Sequence, residues 1–166
     1  PRLLACLHVS FDVAPFRNAD ALLHVVRMFR DPSVPHPSGT IDPARDVRTM
    51  EDEIILADLG VVERRLERLE RDIKKGNSAD LGKERDILLR CKTALEAGQP
   101  LRALGLTTDE GKRLRGFQLL SAKPLLLVLN LDEADLGKVG LNLNEGDLPQ
   151  ADDAVRIAGL EPFMAG

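Results

Sequence analysis

The feature that most restricts the fold is an unbroken apolar seam in the middle of the chain. Its members alternate at intervals of four and three residues, the spacing of a helix that packs on another helix: Ile55, Leu59, Val62, Leu66, Leu69 and Ile73. The residues between them carry charges of both signs, which suit a solvent-facing surface. The stretch KKGN at 74–77 predicts the end of this helix, because basic residues followed by glycine favour a helix C-terminus.

A second helix is predicted directly afterwards, with Ser78 at its start and the stretch EAGQP at its end. Three of its leucines recur every seven residues: Leu81, Leu88 and Leu95. Because each helix has one apolar stripe to bury, we expect the two to form an antiparallel helical hairpin. A third, shorter helix is predicted over 107–120, where Thr107 and Glu110 have the spacing of a capping box.

Two short apolar runs flank the helical region and are typical of buried β-strands. They are ALLHVV at 21–26 and PLLLVL at 124–129. A proline-rich segment at 31–43 predicts an extended linker, because proline removes a backbone donor and fixes φ. We therefore predict an α/β protein whose two strands are neighbours in one parallel sheet, with the helical hairpin inserted between them.

The composition limits the class of protein. The chain has 166 residues, of which 43% are hydrophobic and 3% aromatic, so aliphatic packing is favoured over an aromatic platform for single-stranded nucleic acid. A net charge of −4 provides no global basic field for a polyanion. The two cysteines, Cys6 and Cys91, do not form a disulfide scaffold, and no apolar window has the length of a membrane span. We expect a cytoplasmic protein with no disulfide partner and no membrane contact.

Motifs for phosphate or metal binding are weak. The nearest likeness to a phosphate-binding loop is GLTTDEGKR at 105–113, which has an extra residue between its glycines and Arg where Ser or Thr is required. We interpret this stretch as a helix start. His8, His24 and His36 lack the spacing of metal ligands, and His24 within its apolar strand is interpreted as a structural histidine.

The second predicted strand ends in the polar stretch NLDE at 130–133. Side chains at the carboxyl end of a parallel strand reach the crevice where α/β proteins bind ligands. An Asn such as Asn130 can both donate to and accept from a purine, whereas a carboxylate three residues later only accepts. The residues alone leave a second interpretation open, in which Asn130 ends the strand and Asp132 caps the next turn.

Several segments, taken in order, resemble the YchF family, the Obg-like ATPases of the translation-factor class of P-loop proteins. The similar segments are NADALLHVVRMFRD at 18–31, GTIDPARD at 39–46, ILADLGVVERRLERLE at 55–70, ALEAGQPLRAL at 94–104 and LLSAKPLLLVLNLDE at 119–133. The resemblance implies a P-loop NTPase-like parallel sheet with an inserted antiparallel helical hairpin of coiled-coil type. It also implies a division of the chain into G-domain segments at 1–43 and 119–135, an inserted domain at 44–118, and an unassigned remainder at 136–166.

The resemblance further implies a magnesium-dependent ATPase, with GTP also possible, that associates with ribosomes. In this family Asn-x-x-Glu replaces the usual guanine-reading Asn-Lys-x-Asp. Asn130 and Leu131 are then implied to contact the base, with Glu133 in place of the guanine-selecting Asp. The stretch VSFDVAP at 9–15 is similar to the family's strand that ends in Asp-x-Ala-Gly, which implies that Asp12 lies near Mg²⁺.

The sequence also departs from the family pattern. Pro15 stands where Gly is expected, and the phosphate loop and the Gly-rich stretch after that strand are not among these residues. Two interpretations follow from the resemblance. Either the chain is an incomplete part of a nucleotide-hydrolysing member, which we expect, or it is a degenerate, non-hydrolysing member that serves as a ribosome- or RNA-binding helical module. The catalytic residue is not identified in either case.

The first long helix is locally basic. Residues 63–75 hold six Lys or Arg against four acids. Four arginines are candidates for contact with RNA or the ribosome: Arg64, Arg65, Arg68 and Arg71. Mixed charges with no interleaved aromatic residues are equally typical of a solvated helix face, so both interpretations stay open.

Overall fold

The computed structural model describes residues 13–76 and 79–132, which fall into two compact units. The strand unit comprises Ala19–Thr49 and residues 124–132. The helical unit comprises Val13–Asn18 and Met50–Lys123. Several predictions fall outside the described residues: those on Cys6, His8, Asp12, Ser78, Glu133 and residues 136–166.

The strand unit contains two parallel strands, β1 at Leu22–Arg27 and β2 at Leu125–Asn130. The predicted parallel pairing is confirmed, with each strand starting one residue later than predicted. Alternate residues of β1 are buried, which places one face of the strand against apolar neighbours. His24 is among the buried residues, as expected for a structural histidine. Leu22 pairs with Leu125, and the register continues until Arg27 pairs with Asn130.

The first long helix, α1, extends over Pro43–Lys75. Proline suits its first position because the missing N–H has no partner within the helix there. The carboxylate of Asp42 accepts a hydrogen bond from the backbone N–H of Arg45 at 3.0 Å and so satisfies a free donor of the first turn. The helix ends at Lys75 and is followed by Gly76, as the sequence predicts.

The apolar seam of α1 lies in the core of the helical unit. Ile55, Val62, Leu66 and Leu69 pack in one cluster with residues of α2, which spans Ala79–Glu96. The α2 members of this cluster are Ile87, Leu88, Cys91, Ala94 and Leu95. Two ion pairs join the helices at the edges of the cluster: Arg65 with Glu84 at 2.7 Å, and Lys92 with Glu63 at 3.0 Å. None of the helices within 13–76 and 79–132 combines the length and hydrophobicity needed to cross a membrane.

A shorter helix, α3, spans Thr108–Leu114. Its predicted capping box is confirmed, because the Thr107 hydroxyl accepts from the N–H of Glu110 while the Glu110 carboxylate accepts from the N–H of Thr107. The stretch GLTTDEGKR is therefore a helix start, as interpreted. The predicted extent to residue 120 is wrong. The chain passes into a 3-10 turn at Arg115–Phe117 and Gln118 adopts a left-handed φ of 51°, which ends the helical path.

Candidate functional site

The last residues of the two strands are neighbours. Arg27 ends β1 and Asn130 ends β2, and the parallel register pairs them directly. Paired residues of a sheet project from the same face, so the two side chains leave that face side by side. Asn130 is exposed, and its backbone carbonyl accepts a hydrogen bond from the N–H of Met28 at 2.8 Å. Leu131 follows and is half-buried.

Arg27 binds the backbone of the segment that follows it. Its Nε, Nη1 and Nη2 atoms donate to three carbonyl oxygens, at 3.1, 2.8 and 3.3 Å respectively: those of Phe29, Val34 and Asp31. The guanidinium also lies over the Phe29 ring, 4.3 Å from its centroid. A planar guanidinium with five donors is well suited to hold several backbone acceptors at once. We call residues 28–34 the Arg27 loop.

The far side of the Arg27 loop is closed by a local turn. The Asp31 carboxylate accepts from the Ser33 hydroxyl at 2.6 Å and from the Ser33 N–H at 2.8 Å. These hydrogen bonds, that of the Ser33 side chain first, lower the pKa of Asp31 below its usual value. The loop is therefore ordered by hydrogen bonds although Val34 at its end is 47% exposed.

A second polar cluster lies at the start of α1 in the strand unit. His36 lies with its Nε2 atom 3.1 Å from the Asp46 carboxylate, and its Nδ1 atom accepts from the N–H of Ser38 at 3.2 Å. Arg45 donates to the same carboxylate and to the hydroxyl and carbonyl of Thr40. The spacing of His36 in the sequence indicates no role as a metal ligand. Its hydrogen bonds indicate that it helps to fix the segment leading into the helix.

The candidate arginines of α1 differ in their surroundings. Arg65 donates two hydrogen bonds to Glu84, at 2.7 and 3.0 Å, and stacks 5.9 Å from the centre of the Phe117 ring. The Glu84 hydrogen bond raises the pKa of Arg65. Arg64, Arg68 and Arg71 are exposed, and their spacing places them on one side of the helix. The structure therefore separates Arg65 from the other three.

The described residues contain no group of three or more His, Cys, Asp or Glu side chains that could hold a metal ion. Asp12 and Glu133 lie outside them, so the structure does not place either residue. Cys91 is a buried free thiol in the helical core.

Two parallel strands with an exposed polar residue at the carboxyl end, separated in sequence by a long helical region, define the class of the protein as α/β, with a candidate ligand site at that edge. No protein-family model matches the chain. It is 37% identical over 128 residues to the ribosome-binding ATPase YchF of Bacillus subtilis. This alignment covers 77% of this chain and 35% of that protein. It is 34% identical over 119 residues to Obg-like ATPase 1 of Oryza sativa subsp. indica, covering 72% and 30% respectively.

A solved structure gives the same result. The YchF GTPase of Schizosaccharomyces pombe matches with a TM-score of 0.66 and 31% identity, over 76% of this chain and 35% of that one. The chain belongs to the YchF family of Obg-like ATPases. It spans 30 to 35% of the length of these relatives.

Proposed function

We propose that this chain is part of a nucleotide-binding protein that hydrolyses ATP, with GTP as an alternative substrate, and that works in association with ribosomes. The relatives carry names that support each element: ribosome-binding ATPase, Obg-like ATPase and GTPase. The single observation that carries the proposal in this chain is the position of Asn130, exposed at the carboxyl end of a parallel strand within a segment similar to the family's base-recognition motif.

In this proposal Asn130 reads the edge of the base. Its side-chain amide can donate and accept at once, as a purine edge requires. Leu131 would contact the base from its half-buried position, and Glu133 would take the place of the guanine-selecting Asp. A carboxylate accepts hydrogen bonds only, so the donors that the base presents to Glu133 decide between adenine and guanine.

The fold proposal follows the same resemblance. We propose a P-loop NTPase-like sheet into which an antiparallel coiled-coil hairpin is inserted, with G-domain segments at 1–43 and 119–135 and the insertion at 44–118. The shared apolar cluster of α1 and α2 supports the hairpin. The division of the described residues at 49/50 and 123/124 supports an inserted unit, with boundaries that differ by a few residues.

Magnesium belongs to the proposal because a bound Mg²⁺ would neutralise phosphate charge during phosphoryl transfer. Among the described residues none forms a cluster suited to a metal, and Asp12, the proposed neighbour of the ion, lies outside them. We therefore derive no catalytic step through magnesium. A cytoplasmic location remains a prediction.

The base-reading proposal is tested by nucleotide binding. Asn130→Ala and Glu133→Ala are expected to weaken ATP binding about tenfold each, the loss of a good base contact. Asp132→Ala is the matched control, because Asp132 is exposed and is assigned no contact with the base. Titration of each full-length variant with a fluorescent ATP analogue measures the effect. Equal affinity of the wild type and the Asn130 and Glu133 variants would reject the base-reading role.

A second candidate function is a non-hydrolysing, ribosome- or RNA-binding helical module. The observation that favours it is the exposure of Arg64, Arg68 and Arg71 on one side of α1. Phosphate contacts predict ribosome association that falls steeply with salt. Reversing Arg64, Arg65, Arg68 and Arg71 to Glu together should flatten that dependence, by about one unit of log–log slope for each lost contact.

The structure supplies the control for this experiment. Arg65→Glu alone removes a cation already bonded to Glu84, so it should leave the salt slope near that of the wild type. Its thermal unfolding should be monitored, because the reversal places two carboxylates together. If the salt dependence of ribosome association does not change when all four arginines are reversed, they make no contacts with phosphates.

A further inference from the structure

We propose that Arg27 is a positioning residue of the nucleotide-base site, which fixes Asn130 through the Arg27 loop and thereby sets base selectivity. This inference rests on the proposed function, since it concerns the same strand end. Arg27 is not assigned to base contact itself. Its effect is transmitted through the backbone bond that joins its loop to Asn130.

The Arg27 loop is joined to the base-reading residue by a backbone hydrogen bond. The N–H of Met28, the first residue of the Arg27 loop, donates to the Asn130 carbonyl at 2.8 Å. This bond extends the ladder of the parallel pair by one residue beyond Arg27. Movement of the loop therefore acts directly on the backbone that carries the Asn130 amide.

Hydrogen bonds from Arg27 hold the loop. Most of its residues are exposed or half-buried, and Val34 at its end is 47% exposed, so apolar burial contributes little to its order. Arg27 instead bonds the loop at its start, middle and end, through the carbonyls of Phe29, Asp31 and Val34. The stack on Phe29 adds a fourth contact. Removing the guanidinium therefore releases every one of these links at once.

Base selectivity should respond to the order of the Arg27 loop. Discrimination between adenine and guanine depends on hydrogen bonds whose strength falls steeply with distance and angle. A binding group must be held to within about 0.5 Å of its productive position by its supporting residues. A loosened Asn130 loses directional bonds to the correct base, whereas non-directional contacts that both bases share are kept. The preference should therefore fall more than the overall affinity.

The test compares three variants of the full chain. Arg27→Met removes all the carbonyl bonds but keeps much of the side-chain length, and Arg27→Lys keeps the charge with fewer donors. Arg45→Met is the matched control: Arg45 also fixes a segment of the strand unit, through Thr40 and Asp46. Within the part of the chain that the structure describes, no hydrogen bond joins that segment to Asn130. Dissociation constants for ATP and GTP are measured by competition against a fluorescent ATP analogue.

We expect the ratio of GTP to ATP dissociation constants to move toward one by about fivefold or more in Arg27→Met. Arg27→Lys should show an intermediate ratio, and Arg45→Met the wild-type ratio. The ratio is chosen because a general loss of folded protein leaves it unchanged. If Arg27→Met fails to fold, Arg27→Lys alone decides between an altered and an unaltered ratio.

The outcomes separate this inference from the proposed function. A wild-type ratio in the Arg27 variants, with Asn130→Ala still weakening binding, overturns the positioning role and leaves the proposed function standing. An equal change in Arg45→Met also overturns it, because the effect would then be general. Failure of the wild-type chain to bind either nucleotide rejects the proposed function, and the inference with it.

Discussion

Asp58 is a buried carboxylate in the middle of α1, and replacing it with Asn is expected to destabilise the helical unit. Its side chain has no exposed surface. Its Oδ1 atom accepts from the N–H of Leu120 at 3.0 Å, and its Oδ2 atom accepts from both the N–H and the hydroxyl of Ser121, each at 2.7 Å. The Arg17 guanidinium lies 3.5 Å from Oδ1. One side chain thus joins α1 to two other segments of the unit.

The magnitude follows from what Asn cannot do. Asn is close to Asp in size, so Asp58→Asn creates no cavity, but its amide nitrogen is a donor and cannot accept from the Ser121 N–H. A buried donor left without a partner costs about 1–3 kcal/mol, and the remaining bonds lose the strength that the charge gave them. Breaking a buried charge pair by removing one partner typically costs about 3–5 kcal/mol. We expect Asp58→Asn to lower the free energy of unfolding by about 3 kcal/mol, because the remaining amide oxygen still accepts one bond.

The assay is urea unfolding followed by far-UV circular dichroism, which reports mainly on α1, α2 and α3. Asp52→Asn is the control, because Asp52 is exposed on the same helix and loses the same charge. It should change stability by no more than about 0.5 kcal/mol. If Asp58→Asn differs from Asp52→Asn by less than that, at an unchanged dependence on urea, the reasoning about the buried carboxylate is refuted.

Two further predictions use the same unfolding assay. Leu69 is fully buried in the helical core, so Leu69→Ala should lower the free energy of unfolding by about 2–5 kcal/mol. Leu56 is 63% exposed, so Leu56→Ala should lower it by no more than about 0.5 kcal/mol. Equal effects of the two substitutions would contradict the assignment of the apolar seam. Burial raises the pKa of the Cys91 thiol from its usual value of 9.0 to about 11. As the pH rises, the thiol of the unfolded chain ionises before that of the folded chain. The contribution of Cys91 to the free energy of unfolding should therefore be complete below pH 9 and decline as the pH rises toward 11. Comparing the wild type with Cys91→Ala on both sides of that range isolates the effect, and a constant difference would refute it.

The local elements of the fold were predictable because their signals are local. The seam from Ile55 to Ile73 repeats with the helical period, and the capping box at Thr107 needs only residues three apart. The parallel strands were predictable from their apolar runs and from the helical region between them. The prediction of α3 through residue 120 failed for a non-local reason. Leu119 and Leu120 continue an apolar helical pattern, but the backbone N–H of Leu120 donates to Asp58, which lies 62 residues earlier in the chain.

The site was predictable only in part. The end of β2 indicated Asn130, because a polar residue after an apolar run marks a strand end. Nothing in the local pattern distinguished Arg27 from an ordinary surface cation, since its acceptors are backbone carbonyls of an irregular loop. The local pattern likewise groups Arg65 with Arg64, Arg68 and Arg71 as candidates for RNA contact. The partner of Arg65, Glu84, is 19 residues away on another helix, and only the packed structure sets Arg65 apart.

The polar residues buried beside α1 belong to two linked charge pairs within the helical unit. Arg17 pairs with Asp58, and Arg102 pairs with Glu51. Ser121 joins the two charge pairs, because it donates to Asp58 while its carbonyl accepts from the N–H of Arg102, the partner of Glu51. Apolar packing at these positions would have a lower desolvation cost, but it tolerates sliding, whereas these bonds specify one register of α1 within the helical unit. In hydrogen exchange, Asp58→Asn should therefore deprotect Leu120 and Ser121 before the amides of α2, and uniform loss across both would count against this reading.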